Sequence, residues 1–336
     1  MHDRDFVLTT AIIPKMETFI THKSALQYWR LHGRAQERDG YRRVSKRPPS
    51  CVPSFDAILK SEGFGLPMPL DIMANAPNGR RASQAIRPHL FRGTFPIGSF
   101  ISVGNGLFVS SPELCFFQMA SELPLIKLIE LGFELCGSYS LPGTGASGVN
   151  VEISGKGFYD RPPLTTAKKL DSFIARMSGA HGRNLAIKAL RYITDGAASP
   201  METILVMLLS LPYKYGGYGL PMPELNSHII PLKSAKRSSS KSYYSCDLYW
   251  PELNLAAEYD SDQFHTGGDR IANDSKRRNA LAAIGVVVIT ITNQQIRSIV
   301  EFEKAARSLA INMDRQLRYK NPGFAVAQRG LRSLLL

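Results

Sequence analysis

Two acidic side chains on neighbouring apolar segments carry the strongest chemical signal in this chain. Asp247 lies within the segment SYYSCDLYW, and Glu258 ends the segment LNLAAE. A turn at residues 250–254, with Pro251 and Asn254, predicts that the two segments pair as antiparallel strands. Asp247 and Glu258 would then lie nearly opposite each other, and facing carboxylates repel unless a cation or a shared proton separates them. Because no Cys or His cluster accompanies these oxygens, they favour Mg²⁺ or Mn²⁺ over zinc.

The residues after Glu258 predict the remaining elements of this unit. The polar run DRIANDSKRRNALAAIG is typical of a helix, and the apolar run VVVITIT is typical of a buried strand. The predicted order is therefore strand, turn, strand, loop, helix, strand. An alternative interpretation is that Asp247 and Glu258 are exposed strand acids paired with nearby Arg and Lys side chains. Glu258 closes an apolar run, where an unpaired carboxylate is costly to bury, and this favours a functional site.

The same residues resemble the PD-(D/E)xK nuclease superfamily, in particular the branch of very-short-patch-repair endonucleases and small nuclease-like domains. The resemblance covers about residues 199–310 and rests on Asp247, Glu258-x-Asp260, His265 and a helix with Asp274, Arg277 and Arg278. It implies an α/β fold whose C-terminal half is a restriction-endonuclease-like core, a mixed sheet flanked by helices. It also implies metal-assisted hydrolysis of a phosphodiester, in which the cation lowers the pKa of its water.

Residue roles follow from this resemblance. Asp247 and Glu258 would bind Mg²⁺ or Mn²⁺, with the Tyr259 carbonyl as a third ligand. Glu202 would match the helical acid that holds a metal-bound water, and His265 would act as a general base or bind the scissile phosphate. The expected catalytic residues are therefore Glu202, Asp260, His265, Lys276 and Arg278, with Arg277 as a further basic candidate.

The chain departs from the family's pattern at three positions. Asp260 stands where the family has its usual lysine, and Ser261 stands where glycine is common. His265 comes one position later than the pattern expects, because Phe264 occupies that place. These departures bear on catalysis more than on the fold, and Lys276, Arg277 or Arg278 would have to replace the lysine.

Each of the remaining candidates has a structural interpretation as well. The segment Ser199-Pro200-Met201-Glu202 is also a helix-capping box, in which Glu202 is the third helical residue. His265 could be an exposed loop residue. Asp274 could form only i,i+3 and i,i+4 ion pairs with Arg277 and Arg278 on a solvated helix face.

Net charge points to a polyanionic partner. The chain has 336 residues, a formal charge of +13 and a pI near 9.6, and such a surplus favours nucleic acids through counterion release and steering. No acidic residue lies between Asp71 and Glu113, and a second basic block is Arg42, Arg43, Lys46 and Arg47. Solvated surface is the alternative interpretation of each block. The expected DNA-binding residues are Arg80, Arg81, Arg87, Arg92, Lys236, Arg237, Lys241 and Arg277.

The length of the chain allows two domains, and its 44% hydrophobic residues are enough to form a hydrophobic core in each. We expect an α+β module at 1–150, a helical connector at 151–198, the nuclease-like domain at 199–320 and a tail at 321–336. Four cysteines without a CxxC pair favour a reducing compartment. Neither a leader peptide nor an apolar span of about 20 residues is evident, so the sequence predicts a soluble cytoplasmic protein without membrane contact.

The N-terminal half is expected to be mainly helical and winged-helix-like. A capped helix is predicted from Thr21 to about Gly33, strands from Phe100 to Val109, a helix capped by Ser111, and a helix from Leu123 to Leu131 that stops at Gly132. Loosely, residues 16–140 resemble the N-terminal half of abortive-infection regulators of the type IV toxin–antitoxin class. That resemblance implies a DNA-binding or docking module, a partner protein from the same operon and a role in defence against mobile DNA.

Taken together, the residues favour a Mg²⁺-dependent endonuclease that acts on double-stranded DNA, in defence or in repair. The alternative is a DNA-binding regulator or antitoxin that retains a nuclease fold without catalysis, which Asp260 in place of lysine favours. A nuclease for RNA or for branched DNA is a third possibility. Neither the sequence specificity nor the oligomeric state follows from the sequence.

Overall fold

The structure, a computed structural model, describes residues 17–33, 42–53, 65–79, 82–143, 157–229, 243–260, 268–317 and 323–336, apart from the side chains of 78 and 268–275. It is an α/β fold in which mixed sheets are flanked by helices, as the sequence predicts. One continuous cluster of buried apolar side chains includes residues of both large sheets, from Phe19 to Leu335.

A six-stranded mixed sheet forms the N-terminal part of the described chain. Its spatial order is β2-β5-β6-β1-β3-β4, with β1 parallel to β6, β3 parallel to β4 and the other pairs antiparallel. The strands are β1 (Thr18–Ile20), β2 (Arg43–Val44), β3 (Leu70–Ala74), β4 (Ile86–Leu90), β5 (Phe100–Gly104) and β6 (Leu107–Ser110). The rings of Phe19, Phe100 and Phe108 pack together in its core, with Phe19 4.7 Å from Phe108 between centroids.

Helices cover this sheet and connect it to the C-terminal part. In chain order they are α1 (His22–His32), α2 (Pro112–Met119), α3 (Leu125–Cys136), α4 (Ala167–Ala175), α5 (Arg183–Leu190) and α6 (Pro200–Ser210). A short antiparallel pair, β7 (Tyr139–Ser140) and β8 (Tyr159–Asp160), lies between α3 and α4. The helix that begins at Pro112 has Ser111 as its N-cap, since the Ser111 hydroxyl accepts from the Leu114 N–H at 3.2 Å.

The second large sheet has four strands in the order β12-β11-β10-β9. They are β9 (Glu224–Ile229), β10 (Tyr244–Trp250), β11 (Leu255–Asp260) and β12 (Val287–Thr292). The pairs β9–β10 and β10–β11 are antiparallel, and β12 runs parallel to β11 after the crossover helix α7 (Gly268–Ala283). The helices α8 (Asn293–Arg297), α9 (Ile299–Asn312) and α10 (Phe324–Leu335) follow.

The N-terminal sheet contains more strands than the sequence pattern indicates. Every residue of β1 and β3 is buried, so neither strand shows the alternation of polar and apolar residues that identifies a half-exposed strand. The helix predicted to stop at Gly132 continues to Cys136. A Cβ at Gly132 would lie 2.2 Å from the Ile193 Cδ1 atom, so this glycine permits close packing inside the helix and does not end it.

None of the helices in the described ranges is both long enough and apolar enough to cross a membrane. The boundaries predicted at 150, 198 and 320 remain predictions.

Candidate active site and nucleic-acid interface

The hairpin predicted around Pro251 is confirmed. Strands β10 and β11 pair in antiparallel register, with Leu248 opposite Ala257 and Trp250 opposite Leu255. The turn is a single 3₁₀ turn that ends at Asn254, whose φ of +46° lies in the left-handed region that Asn tolerates. Continued by one step toward the open end of the hairpin, this register would place Asp247 opposite Glu258.

Asp247 is anchored to the end of β11 by its carboxylate. The Oδ2 atom accepts a hydrogen bond from the Tyr259 N–H at 2.8 Å. The N–H and C=O of one strand residue point to the same side of the strand, so the Tyr259 carbonyl also lies on the Asp247 side. Burial raises the pKa of Asp247 above its usual range, and the Tyr259 N–H and the positive Arg277 offset this only in part.

Glu202 caps α6, as the sequence predicts. Its backbone N–H donates to the Ser199 hydroxyl at 3.2 Å and that hydroxyl donates to Oε1 at 3.0 Å, so the helix cap is present. Oε2 accepts from the Ala198 N–H at 2.8 Å and from the Asn226 amide at 2.6 Å. Burial first, and the Asp247 carboxylate second, raise the pKa of Glu202 to about 7. The acid of α6 therefore lies within electrostatic reach of Asp247.

Glu258 is held by a cation of the crossover helix α7. The Arg277 guanidinium binds both oxygens of Glu258, with Nη1 to Oε2 at 3.2 Å, and also donates to the Ser245 carbonyl. The Glu258 side chain is 15% exposed. Arg277 is thus engaged with the predicted metal ligand, across α7 and β11, while its side chain stays 32% exposed. Its contact with DNA stays a prediction.

The carboxylates of Glu202, Asp247 and Glu258 do not form one tight cluster. Within the part of the chain that the structure describes, no group that includes Glu202, Asp247 and Glu258 has all its ligand atoms within 4.8 Å of one another. The Asp247 carboxylate makes ionisation of Glu202 more costly, while Glu258 is neutralised by Arg277. An oxygen set of Asp247, the Tyr259 carbonyl and Glu202 is therefore the arrangement best suited to a hard divalent cation.

Asn226 belongs to this site and was missed by the sequence interpretation. Its amide bridges the Gly196 carbonyl at 2.9 Å and the Glu202 carboxylate at 2.6 Å. Its φ of +49° lies in the left-handed region within β9, at the position that continues the β9–β10 register to Asp247. An Asn in the largely polar strand ELNSHI carries no sequence signal for this role, because the contact depends on the approach of α6 to β9.

The remaining predicted catalytic residues that the structure describes lie on β11 and α7. Asp260 ends β11 opposite Thr292 of β12, and Lys276 and Arg278 lie on α7. His265 lies outside the described residues, as do the predicted DNA-binding residues Arg80, Arg81, Lys236, Arg237 and Lys241.

A basic groove lies at the edge of the N-terminal sheet. Its cavity of about 450 Å³ is lined by Lys46, Arg47 and Arg92 together with the rings of Phe91 and Phe95. Lysine and arginine side chains that line one groove can contact the phosphates of a nucleic-acid backbone. Arg87 lies elsewhere, 3.4 Å from the Asp71 carboxylate and with a half-exposed side chain.

The raised pKa of Glu202 predicts a pH-dependent stability. The folded pKa of about 7 exceeds the ordinary value, so the stability this group contributes is present below about pH 4.5 and disappears as pH rises through 7. That change amounts to about 3 kcal/mol of unfolding free energy, since each pKa unit corresponds to about 1.36 kcal/mol. Glu202→Gln should flatten the urea-unfolding profile between pH 5 and 8. A profile as steep as the wild type's would contradict the assignment.

No family model matches the chain, and no solved structure matches it. Two uncharacterized proteins of Mycobacterium tuberculosis, from strain CDC 1551 / Oshkosh and from strain ATCC 25618 / H37Rv, are each 28% identical to it over 149 residues. The match covers 44% of this chain and 49% of each relative. The chain therefore spans about half the length of these curated relatives, whose names state no activity.

Proposed function

We propose that this protein is a Mg²⁺- or Mn²⁺-dependent endonuclease that hydrolyses phosphodiester bonds of double-stranded DNA. The observation that carries the proposal is the packing of α6 against β10 and β11, where the Glu202 carboxylate binds Asn226 at 2.6 Å and the Asp247 carboxylate raises the pKa of Glu202. A hard cation would relieve the repulsion between the Glu202 and Asp247 carboxylates. The resemblance to PD-(D/E)xK nucleases, in the very-short-patch-repair branch, supports the same proposal.

The chain's own groups would position the reacting species. Asp247 and the Tyr259 carbonyl would hold the cation directly. Glu202 would orient a water through Oε1, which accepts one hydrogen bond, from the Ser199 hydroxyl. A bound Mg²⁺ supplies a water of lowered pKa and offsets the charge that develops on the phosphate. Lys276 and Arg278, both on α7, are the described cations that could approach the phosphate in place of the family's lysine.

The experiment is cleavage of supercoiled and linear DNA by the full chain with Mg²⁺, with Mn²⁺ or with EDTA. Nicking that needs the cation supports the proposal. Bound but intact DNA under all three conditions contradicts it. An RNA duplex and a branched DNA serve as further substrates, because the same site chemistry would act on any phosphodiester that the surface admits.

The basic groove is the proposed contact with the DNA backbone. Removing one cation that binds a phosphate should lower the slope of log K against log salt by about 0.9. Arg47→Ala together with Arg92→Ala should therefore lower that slope by about 2, measured by fluorescence anisotropy between about 50 and 200 mM salt. A substitution of Lys46 would test the groove less clearly, because Lys46 forms an ion pair with Glu17.

Arg329→Ala is the matched control for the groove, since Arg329 is an exposed arginine of α10, far along the chain from the groove residues. Its salt slope should equal that of the wild type. Equal slopes for the control and for the groove variant would mean that the groove does not contact phosphate.

Two observations favour a second candidate function, a DNA-binding regulator or antitoxin without catalysis. Arg277 neutralises Glu258, and Asp260 stands where the family's lysine would be. Such a protein would bind DNA with strong salt dependence and without a metal requirement. A partner protein from the same operon, copurified or coexpressed, would fit this candidate, which the cleavage assay separates from the nuclease.

A further inference from the structure

A second set of metal-ligating side chains lies on the N-terminal sheet, away from the proposed nuclease site. His22 begins α1, His89 lies in β4 and Glu122 follows α2. One ligand atom from each of these three residues lies within 4.8 Å of the other two. Among the described residues this is the one group of three or more His, Cys, Asp or Glu side chains with that spacing.

His89 is oriented by a buried carboxylate. Its Nε2 atom lies 2.8 Å from the Asp71 Oδ1 atom, and the Asp71 side chain is 2% exposed. Asp71 is itself fixed by Ser24, whose backbone N–H and hydroxyl donate to Oδ2 at 3.2 and 3.3 Å. This leaves Nδ1 of His89 as the ring atom for a ligand. A carboxylate behind a histidine is the usual arrangement of a metal-binding imidazole, because it fixes the tautomer and raises the basicity of the ring.

His22 is held in a strained position beside His89. Its φ of +48° lies in the left-handed region although it is not glycine, and such outliers concentrate at functional sites. Nδ1 of His22 lies 2.6 Å from the Thr21 hydroxyl, which leaves Nε2 as the ring atom for a ligand. The two imidazole rings stack with centroids 3.6 Å apart.

The cavity beside these rings contains a buried polar group without a partner. It has a volume of about 200 Å³ and is lined by His22, His89, Gln118, Ser121 and His181, together with apolar side chains. Gln118 is 6% exposed, and its Oε1 accepts from the His22 N–H at 3.1 Å. Its Nε2 has no hydrogen-bond partner. A buried unpaired amide at a cavity wall is costly unless a ligand or water occupies the cavity.

We propose that His22, His89 and Glu122 bind one divalent transition-metal ion of the Zn²⁺ class, with Asp71 as the residue that orients His89. Two imidazoles and one carboxylate are the donor set of open zinc sites, which leave a fourth position for water or substrate. Here that fourth position faces the cavity, where the Gln118 amide can donate to whatever occupies it. Mg²⁺ is a poorer occupant, because it prefers an all-oxygen octahedral set.

Binding requires a small closure of the three side chains. Ligands about 2.0–2.1 Å from zinc at tetrahedral angles are separated by about 3.3 Å, so the ligand atoms move together and the stacked rings tilt toward the ion. Glu122 can make this movement, since its ion pair is with the exposed Lys23 at 3.5 Å. That surface pair contributes little, and a metal would displace it.

The test is the metal content of the full chain and its titration with Zn²⁺ and Co²⁺. The expected result is one Zn²⁺ per chain at micromolar affinity or tighter, with a Co²⁺ visible spectrum typical of four coordination. Glu122→Gln should weaken Zn²⁺ binding at least tenfold and His22→Gln more. Asp71→Asn, which removes only the orienting carboxylate, should weaken it about 10- to 100-fold.

Two controls separate this site from surface binding and from the proposed nuclease site. Glu130→Gln alters a surface acid of α3 that pairs with Lys127, and Asp247→Asn removes an acid of the other site. Both should keep the wild-type stoichiometry and affinity for Zn²⁺. Glu122→Gln is on the surface, so it tests the proposal even if the buried variants fail to fold. Stoichiometric binding that survives Glu122→Gln and His22→Gln, or no binding by the wild type, would overturn the proposal.

Discussion

Asp247→Asn is expected to lower metal-dependent DNA cleavage by at least about 10³-fold. Lewis-acid stabilisation by a bound cation contributes several kcal/mol, and a factor of 10³ corresponds to about 4 kcal/mol of activation free energy. The amide keeps the size of the side chain and still accepts the Tyr259 N–H, but it lacks the charge that would bind the cation. The measurement is the single-turnover nicking rate of supercoiled DNA with Mg²⁺ and with Mn²⁺.

The same substitution should leave folding intact, which makes the result interpretable. The pKa of Asp247 is raised, so the charged form is disfavoured in the folded protein and a neutral isostere removes that penalty. We expect an unfolding free energy equal to or above that of the wild type at pH 8. Glu252→Gln is the matched control, because Glu252 is an exposed acid of the same hairpin turn. Full activity of Asp247→Asn would exclude Asp247 as a metal ligand.

Arg30→Met is expected to destabilise the protein by about 3–5 kcal/mol, because it leaves a buried carboxylate without its partner. Arg30 binds Glu134 through two parallel hydrogen bonds, of 2.9 and 2.7 Å, and the Glu134 side chain is 1% exposed. Burial opposes ionisation of Glu134, yet the Arg30 guanidinium holds the pKa of that carboxyl below its usual range. The measurement is urea unfolding at pH 7.

The double variant Arg30→Met with Glu134→Gln should recover part of this stability, since it removes both members of the pair. Recovery is incomplete because the buried Arg161 beside Glu134 then loses its countercharge. The deficit of the single variant should also shrink as pH falls toward 4, where Glu134 takes up a proton. Arg176→Met is the control, because Arg176 is an exposed arginine at the end of α4. A single variant as stable as the Arg176 control would mean that the pair adds nothing to stability.

The two largest effects test different parts of the molecule. Arg30 and Glu134 join α1 to α3 in the N-terminal part, whereas Asp247 lies on the C-terminal sheet. Arg30→Met should lower stability, and Asp247→Asn should lower only DNA cleavage. That result would separate the role of the buried ion pair from the proposed chemistry. The proposed zinc-class site is independent of both, because its readout is metal content.

Much of the local structure follows from short patterns in the sequence. The hairpin with its turn at Asn254 and the caps at Ser111 and Ser199 depend on interactions between residues close together in the chain, and each is confirmed. The mixed α/β fold follows from the same local patterns, since apolar runs and a polar helical run alternate along the C-terminal half.

The site depends on interactions between distant parts of the chain, which no local pattern records. The sequence by itself determined which acids border the hairpin and that Glu202 caps α6. Only the tertiary structure decided that Glu258 pairs with Arg277, 19 residues away, that Asn226 reaches Glu202 across 24 residues, and that His22 stacks on His89. The physical reason is that side-chain pairing is set by how α6, α7 and α1 pack on their sheets, after burial has fixed the register of the strands.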